Sequence, residues 1–408
     1  MYDVKRFEDR LGMQYDKASY RRVIAGQEVI LHCHHYNSRL QNTIEGAAHI
    51  DGKKIIARAA EAVFGAQIEH AFRPTDDEAT RWRISQSLYA HLGYGWFDVD
   101  KVSEGTVIAS SSHFVEGWNA GFPGRGNPVC TFTEGYLQAA IGAVTGKAVW
   151  VQEKECIVAG AQRCRFAIDD ARDEPLARNE KSPASGTGGG PRFTPRPIPE
   201  LPASNIDSGA ILDALVGMPI HGNTEGLIPA FGVYLASTPA DFYNRISLEF
   251  VEAMSKIGLG KNARKLLVYD AETCAMNTFR GIMSSPEWDG LVAPMIREYD
   301  DNLFGIVAVS NALGWGNWHV TAHRSGTAAR IESFNGYEAI GHLEYRGQAK
   351  EPSCLMLTGV AAGIMELVYS KGTVQDRFGT FVSSEHDCIA CGPNKAGGAS
   401  CVFSVEKT

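Results

Sequence analysis

Two apolar runs frame the chain. "TEGYLQAAIGAVTG" at 133–146 and "LTGVAAGIMELVYS" at 357–370 each carry one charge over a helical length, and each predicts a buried helix. Behind each run comes a segment rich in β-branched and aromatic residues, "AVWVQEKEC" at 148–156 and "TFVSSEHDC" at 380–388. A second follows, "CRFAI" at 164–168 and "CVFSV" at 401–405. These predict pairs of strands. Ahead of the helices lie "LGYGWFDVDKVSEGTVI" at 92–108 and "LGWGNWHVTAHRSGTAA" at 313–329, each reading as a helix end, a Gly-rich turn and a hairpin closed at "SEG" or "RSG".

The two sets are copies. Leu92, Gly93, Gly95, Gly105 and Thr106 fall on Leu313, Gly314, Gly316, Gly326 and Thr327 at a constant offset, 313 − 92 = 221 and 326 − 105 = 221. A period near 220 residues is far too long for a solenoid and predicts two copies of one α+β domain. Between them, "DDARDEPLARNEKSPASGTGGGPRFTPRPIPELPA" at 169–203 is dominated by charge, Pro, Gly and Ser, and reads as a flexible linker. The expected organisation is a first domain over 1–168 with a His-rich N-terminal segment, a linker over 169–205 and a second domain over 206–408. The halves would pair as a pseudo-dimer within one chain or as a homodimer.

Nine cysteines sharpen the picture, because three sit in 130–164 and four in 354–401. In the first half, Cys130 precedes the helix, Glu153 and Cys156 end one strand, and Cys164 opens the next. A strand, a tight loop and a returning strand bring 153, 156 and 164 together, and the helix start can deliver Cys130. Three thiolates and one carboxylate suit a closed, structural zinc site. The second half repeats the order as Cys354, Glu385, Cys388 and Cys401, with the same spacing, 388 − 385 = 3 and 156 − 153 = 3. Cys391 is an alternative to Glu385. The competing readings are buried apolar thiols, a disulfide, or a redox pair at Cys388–Cys391.

Composition narrows the function. A net charge of −8 argues against a broad nucleic-acid surface. The opening "MYDVKRFEDR" has no apolar core of a secretory signal, and no run is long enough to span a membrane, so a cytoplasmic address is expected.

"CTFTEGYLQAAIGAVTGKAVWVQEKECIVAGAQRCRFAI" resembles a V4R (4-vinyl reductase) domain, the sensory part of phenol- and xylene-responsive activators. The resemblance covers roughly 85–168 and, more weakly, 306–405. It implies an α+β fold with an antiparallel sheet, packed helices and an interior pocket. It also implies zinc held by Cys130, Glu153, Cys156 and Cys164, and a small hydrophobic or aromatic ligand. The phenol sensors continue into a P-loop ATPase. No GxxxxGK[ST] occurs here, so that activator architecture is not expected.

Candidate ligand-contacting residues are Trp96 and His113 in the first half and Trp318 and His319 in the second, the alternative being core packing. "LHCHHYN" at 31–37 places three histidines beside one cysteine. With Glu45 and His49 at helical i,i+4 spacing, His34, His35 and His49 form a candidate catalytic or metal site. The expected function is a zinc-stabilised binding protein for a small hydrophobic or aromatic molecule, acting as sensor, carrier or accessory factor. The alternative is a metal-dependent or acid–base enzyme on an aromatic or tetrapyrrole-like substrate.

Overall fold

Residues 2–181, 198–391 and 400–408 are described by a computed structural model. The glycines of the duplicated hairpins show why they recur. Gly93 and Gly95 adopt φ of 91° and 118°, and Gly314 and Gly316 adopt 87° and 129°. Side chains rarely tolerate that region. At Gly95 a Cβ would also lie 2.3 Å from the Ser111 carbonyl oxygen.

Each turn opens a four-stranded antiparallel sheet. In the first half the spatial order is Gly95–Asp98, Thr106–Ser112, Cys164–Asp169 and Trp150–Glu155. In the second it is Trp318–Arg324, Ala328–Ser333, Cys401–Lys407 and Phe381–Asp387. The order is the same, so the duplication seen in sequence is a duplication of topology. Each sheet breaks register in its first strand, between Trp96 and Phe97 or Val320 and Ala322, and again between Glu153 and Glu155 or Glu385 and Asp387. The second bulge re-aims the strand end, and in both halves it falls beside the glutamate of the Cys/Glu set.

The apolar runs form the helices Thr131–Thr145 and Leu355–Tyr369. Each lies against a long helix from its own half, Gly52–Ala71 or Gly260–Met283. Close approach is set by glycine. A Cβ on Gly135 would sit 2.2 Å from Ala57 O, and one on Gly359 would sit 2.1 Å from Val268 O.

The chain divides into two compact units that are discontinuous in sequence. One comprises Met1–Gln14, Val23–Asn179 and Pro219–Phe250, and the other Tyr15–Arg22, Glu180–Met218 and Val251–Thr408. In the first unit, strand Gln27–Cys33 pairs antiparallel with Val233–Pro239, which pairs with Ile228–Ala230. In the second, Arg22 donates to Ala312 O, and Arg21 to the carbonyls of Gly314, Trp315 and Asn335. Ala312 ends the helix Asp301–Ala312, where a cation is favoured by the helix dipole.

Of the stretch 169–205, residues 182–197 lie outside the described residues. In the first unit Arg172 is buried and forms a two-pronged ion pair with Glu61 at 2.8 and 3.0 Å, while its guanidinium lies over Trp150. In the second unit Ser204 and Asn205 donate to Asp301.

Candidate metal centres and a buried polar network

Cys130 is the residue before the helix Thr131–Thr145, and Cys354 holds the same place before Leu355–Tyr369. The strand end and the returning strand supply the other three members. Cys130, Glu153, Cys156 and Cys164 bring one ligand atom each to within 4.8 Å of one another, as do Cys354, Glu385, Cys388 and Cys401. Among the described residues these are the only such groups of three or more His, Cys, Asp or Glu side chains. Cys391 is buried but lies outside the second set.

The distances exclude one reading of these cysteines, the disulfide, and suit a metal. Cys164 Sγ is 3.9 Å from both Cys130 Sγ and Cys156 Sγ, and Cys354 Sγ is 3.4 Å from Cys401 Sγ. A disulfide needs about 2.05 Å. A tetrahedral metal with metal–sulfur bonds of about 2.3 Å places its sulfurs about 3.8 Å apart. No disulfide is formed among the described cysteines.

The carboxylates are arranged alike. Glu153 Oε2 accepts the backbone N–H of Cys130 at 2.8 Å, and Glu385 Oε2 accepts that of Cys354 at 2.9 Å. Among the described residues no donor reaches the buried Oε1 of either. A buried carboxylate oxygen without a donor is expensive, and a cation among the sulfurs would satisfy both copies. Four neighbouring acids cannot all ionise without one. The hydrogen bonds it donates to Cys156 and Cys164 push the Cys130 thiol up, and burial pushes Glu153 up to about 7. Cys156, which accepts from both thiols, is held down. Two buried Cys3Glu clusters can therefore hold a metal ion.

Residues 118–170 match the V4R domain. The matched V4R stretch contains the whole first cluster. No curated protein matches the chain. Among solved structures the chain is similar to the phenol-responsive sensory domain of the transcription activator PoxR, in a crystal structure with phenol. The identity is 15%, over 42% of this chain and 91% of that one, with a TM-score of 0.34.

Beside the V4R stretch, the first unit buries a polar relay that the sequence did not reveal. Tyr243 O–H donates to Asn37 Oδ1 at 2.7 Å, and Asn37 Nδ2 donates to His113 Nε2 at 2.9 Å. That leaves the proton on Nδ1 of His113, a fully buried residue, and among the described residues no acceptor reaches it. Burial holds His113 well below the usual histidine range, with His34 and His35 lowering it further. Asn37 and Tyr243 line an apolar cavity of ≈ 10 Å³ with Phe114, Phe242 and Ile246. That is room for about one water.

His34 and His35 open the helix His34–Gly46 with ring centroids 4.0 Å apart, and His34 lies 6.3 Å from His113. Tyr234 N–H donates to His34 Nδ1. The helix ends at Gly46, so Glu45 and His49 do not share a helical face. His49 is exposed in the turn beyond, at φ 68°. The structure thus groups His34 and His35 with His113 and leaves His49 apart. Trp96 is half-buried, its backbone N–H donating to Ser111 Oγ. In the second unit Trp318 and His319 line a cleft of ≈ 150 Å³ with Leu201, Ile206, Phe304 and Val307. Trp318 stacks on Phe403, and His319 bonds Asn317 Oδ1 at 2.6 Å.

Among the described residues no helix is long and apolar enough to cross a membrane.

Proposed function

We propose that the protein is a zinc-stabilised binding protein for a small hydrophobic or aromatic molecule, acting as a sensor, carrier or accessory factor. Zinc suits the donor set of three thiolates and one carboxylate, and the unbonded carboxylate oxygen in both clusters supports it. Zinc would be structural here, closing each sheet onto its helix.

The observation that carries ligand binding is the open end of the relay. His113 Nδ1–H is a donor without an acceptor in an aromatic interior. A flat apolar ligand with one oxygen would complete it. The cavity of ≈ 10 Å³ is lined by Asn37 and Tyr243 of the relay and not by His113, so a ligand that reaches Nδ1 requires Phe114 or Phe242 to turn aside. Trp318 and His319 are the contacts proposed for the second unit, where the cleft is larger.

Phenol is a suitable probe because it offers one ring and one oxygen. Calorimetric titration should give saturable binding to the purified protein, and a His113→Phe variant that retains its metal should lose the first unit's share of it. Binding unchanged in His113→Phe would move the site elsewhere. No binding of phenol, naphthalene or indole by the wild-type protein would sink the reading.

A further inference from the structure

The duplicated helix pairs differ at one buried position. Gly135 lies against Ala57 as Gly359 lies against Val268, so the helices superpose with 359 − 135 = 224 and 268 − 57 = 211. Glu61 then corresponds to Glu272, since 272 − 61 = 211, and Gly142 to Glu366, since 366 − 142 = 224. In the first unit Glu61 faces Arg172 and Arg58, and Gly142 leaves room for Leu176, which would lie 2.6 Å from an added Cβ. The second unit places a second carboxylate there instead of an arginine.

Glu366 is fully buried and Glu272 is 9% exposed. Glu366 lies one turn beyond Gly363, whose added Cβ would be 2.5 Å from Glu272 O, so both acids sit at one tight crossing. Each accepts one long backbone bond from the same segment. Gly379 N–H reaches Glu272 Oε1 and Phe381 N–H reaches Glu366 Oε1, both at 3.4 Å. Among the described residues Glu366 Oε2 has no donor, and neither acid has an ion-pair partner.

Charged groups on the neighbouring elements are committed elsewhere. On the helix Val374–Arg377, Arg377 donates to Leu367 O and Gly372 O, and Asp376 bonds Thr373. On the strand Phe381–Asp387, Glu385 belongs to the Cys/Glu cluster. On Tyr337–Arg346, Glu338 accepts from Met356 and Leu357 at the far end of the apolar helix. Asp301, on Asp301–Ala312, accepts from Asn205, Arg297 and Glu298. On Cys401–Lys407, Glu406 and Lys407 lie exposed near its end.

We propose that Glu272 and Glu366 share one proton, and that this proton makes the second unit a pH-responsive element that loosens as pH rises. One carboxyl donates to the other, which supplies the missing donor at Glu366 Oε2. Two buried like charges at this crossing would repel with nothing to offset them. Burial pushes both acids up; repulsion from Glu366 and the bond to it raise Glu272 further, whereas the bond from Glu272 lowers Glu366. The sign follows from proton counting. The folded unit keeps a proton that the unfolded chain releases near 4.5, so stability falls as pH climbs from there to the pair's raised range, and then levels.

The test uses the full-length, metal-loaded protein. Hydrogen exchange of peptides covering 260–283 and 355–369 is followed from about pH 5 to about pH 9 and corrected for intrinsic rates. Protection in the wild type should fall relative to Glu272→Gln and Glu366→Gln by at least about tenfold over that range, the factor carried by one pKa unit. Profiles that stay parallel would overturn the proposal. Should one variant fail to fold, the other reads the same pair. Infrared difference spectra give a separate readout. The carbonyl band of a protonated carboxyl should be present in the wild type at neutral pH and lost in either variant. No such difference would also overturn it.

Discussion

The backbone N–H of Cys130 donates to Glu153 Oε2 at 2.8 Å. The bond ties the N-terminal end of an apolar helix to the end of a strand 23 residues later. It also leaves the other carboxylate oxygen facing three sulfurs. The first prediction concerns this junction. Cys156→Ser should remove one metal per chain and loosen the first unit by several kcal/mol, on the order of 3–5, because metal-binding energy in such sites is folding energy. Native mass spectrometry reports the metal, and hydrogen exchange locates the loss. Normal metal content and protection would refute the assignment.

Metal removal should act on both units. The protein as purified is expected to carry two zinc ions per chain. Incubation with a strong chelator in mild denaturant should strip them and unfold the sheets, and added zinc should restore near-ultraviolet circular dichroism. A chelated protein that melts like the untreated one would show the cysteines to be apolar packing.

Arg172 and Glu61 are both buried and bonded through two contacts. Arg172→Ala strands a carboxylate beside Arg58 alone and opens a gap over Trp150. The expected cost is about 3–5 kcal/mol, read by denaturant melts. Arg172→Ala combined with Glu61→Leu should recover much of it, since an apolar pair leaves no unpaired charge.

The first unit should be acid-labile. Burial pulls His32 down to about 3, and His34 and His91 down to about 4. These histidines stay neutral in the fold while the unfolded chain takes up protons below about 6.5. Stability is therefore present above that value and lost as pH falls toward 4, at about 1.4 kcal/mol per pH unit for each group. Peptides covering 27–46 should lose exchange protection between about pH 6.5 and pH 4.5. The slope should shrink in His34→Gln. A flat profile would mean that the rings are hydrated in solution.

Gly316→Ala should destabilise the second unit by more than about 1 kcal/mol. At φ 129° an alanine is strained, and its Cβ would sit 2.6 Å from Asn335 Oδ1. Gly95→Ala should do the same in the first unit, against a backbone oxygen that cannot rotate away. Thermal melts of the two variants measure both.

The duplication, the two apolar helices, the strand pairs and the membership of both Cys3Glu sets were legible in the sequence. They rest on local rules, namely the period of apolar positions, the glycines that tight turns require, and cysteines spaced by a strand, a turn and a returning strand. The helices His113–Gly121 and Tyr337–Arg346 carried weaker signals because they are short and mixed. The His34, His35 and His49 grouping rested on a helical spacing between Glu45 and His49. The helix stopped at Gly46, one turn too early for the spacing to matter. Other features belonged to the tertiary structure alone. Residues 219–250 cluster with the first unit, Asn37 joins Tyr243 to His113, Glu61 finds Arg172, and Glu272 finds Glu366. Each joins residues far apart in the chain, with no periodicity to announce it. Such partners are chosen by which surfaces exclude water together, and a buried polar group must then take whatever partner that choice supplies.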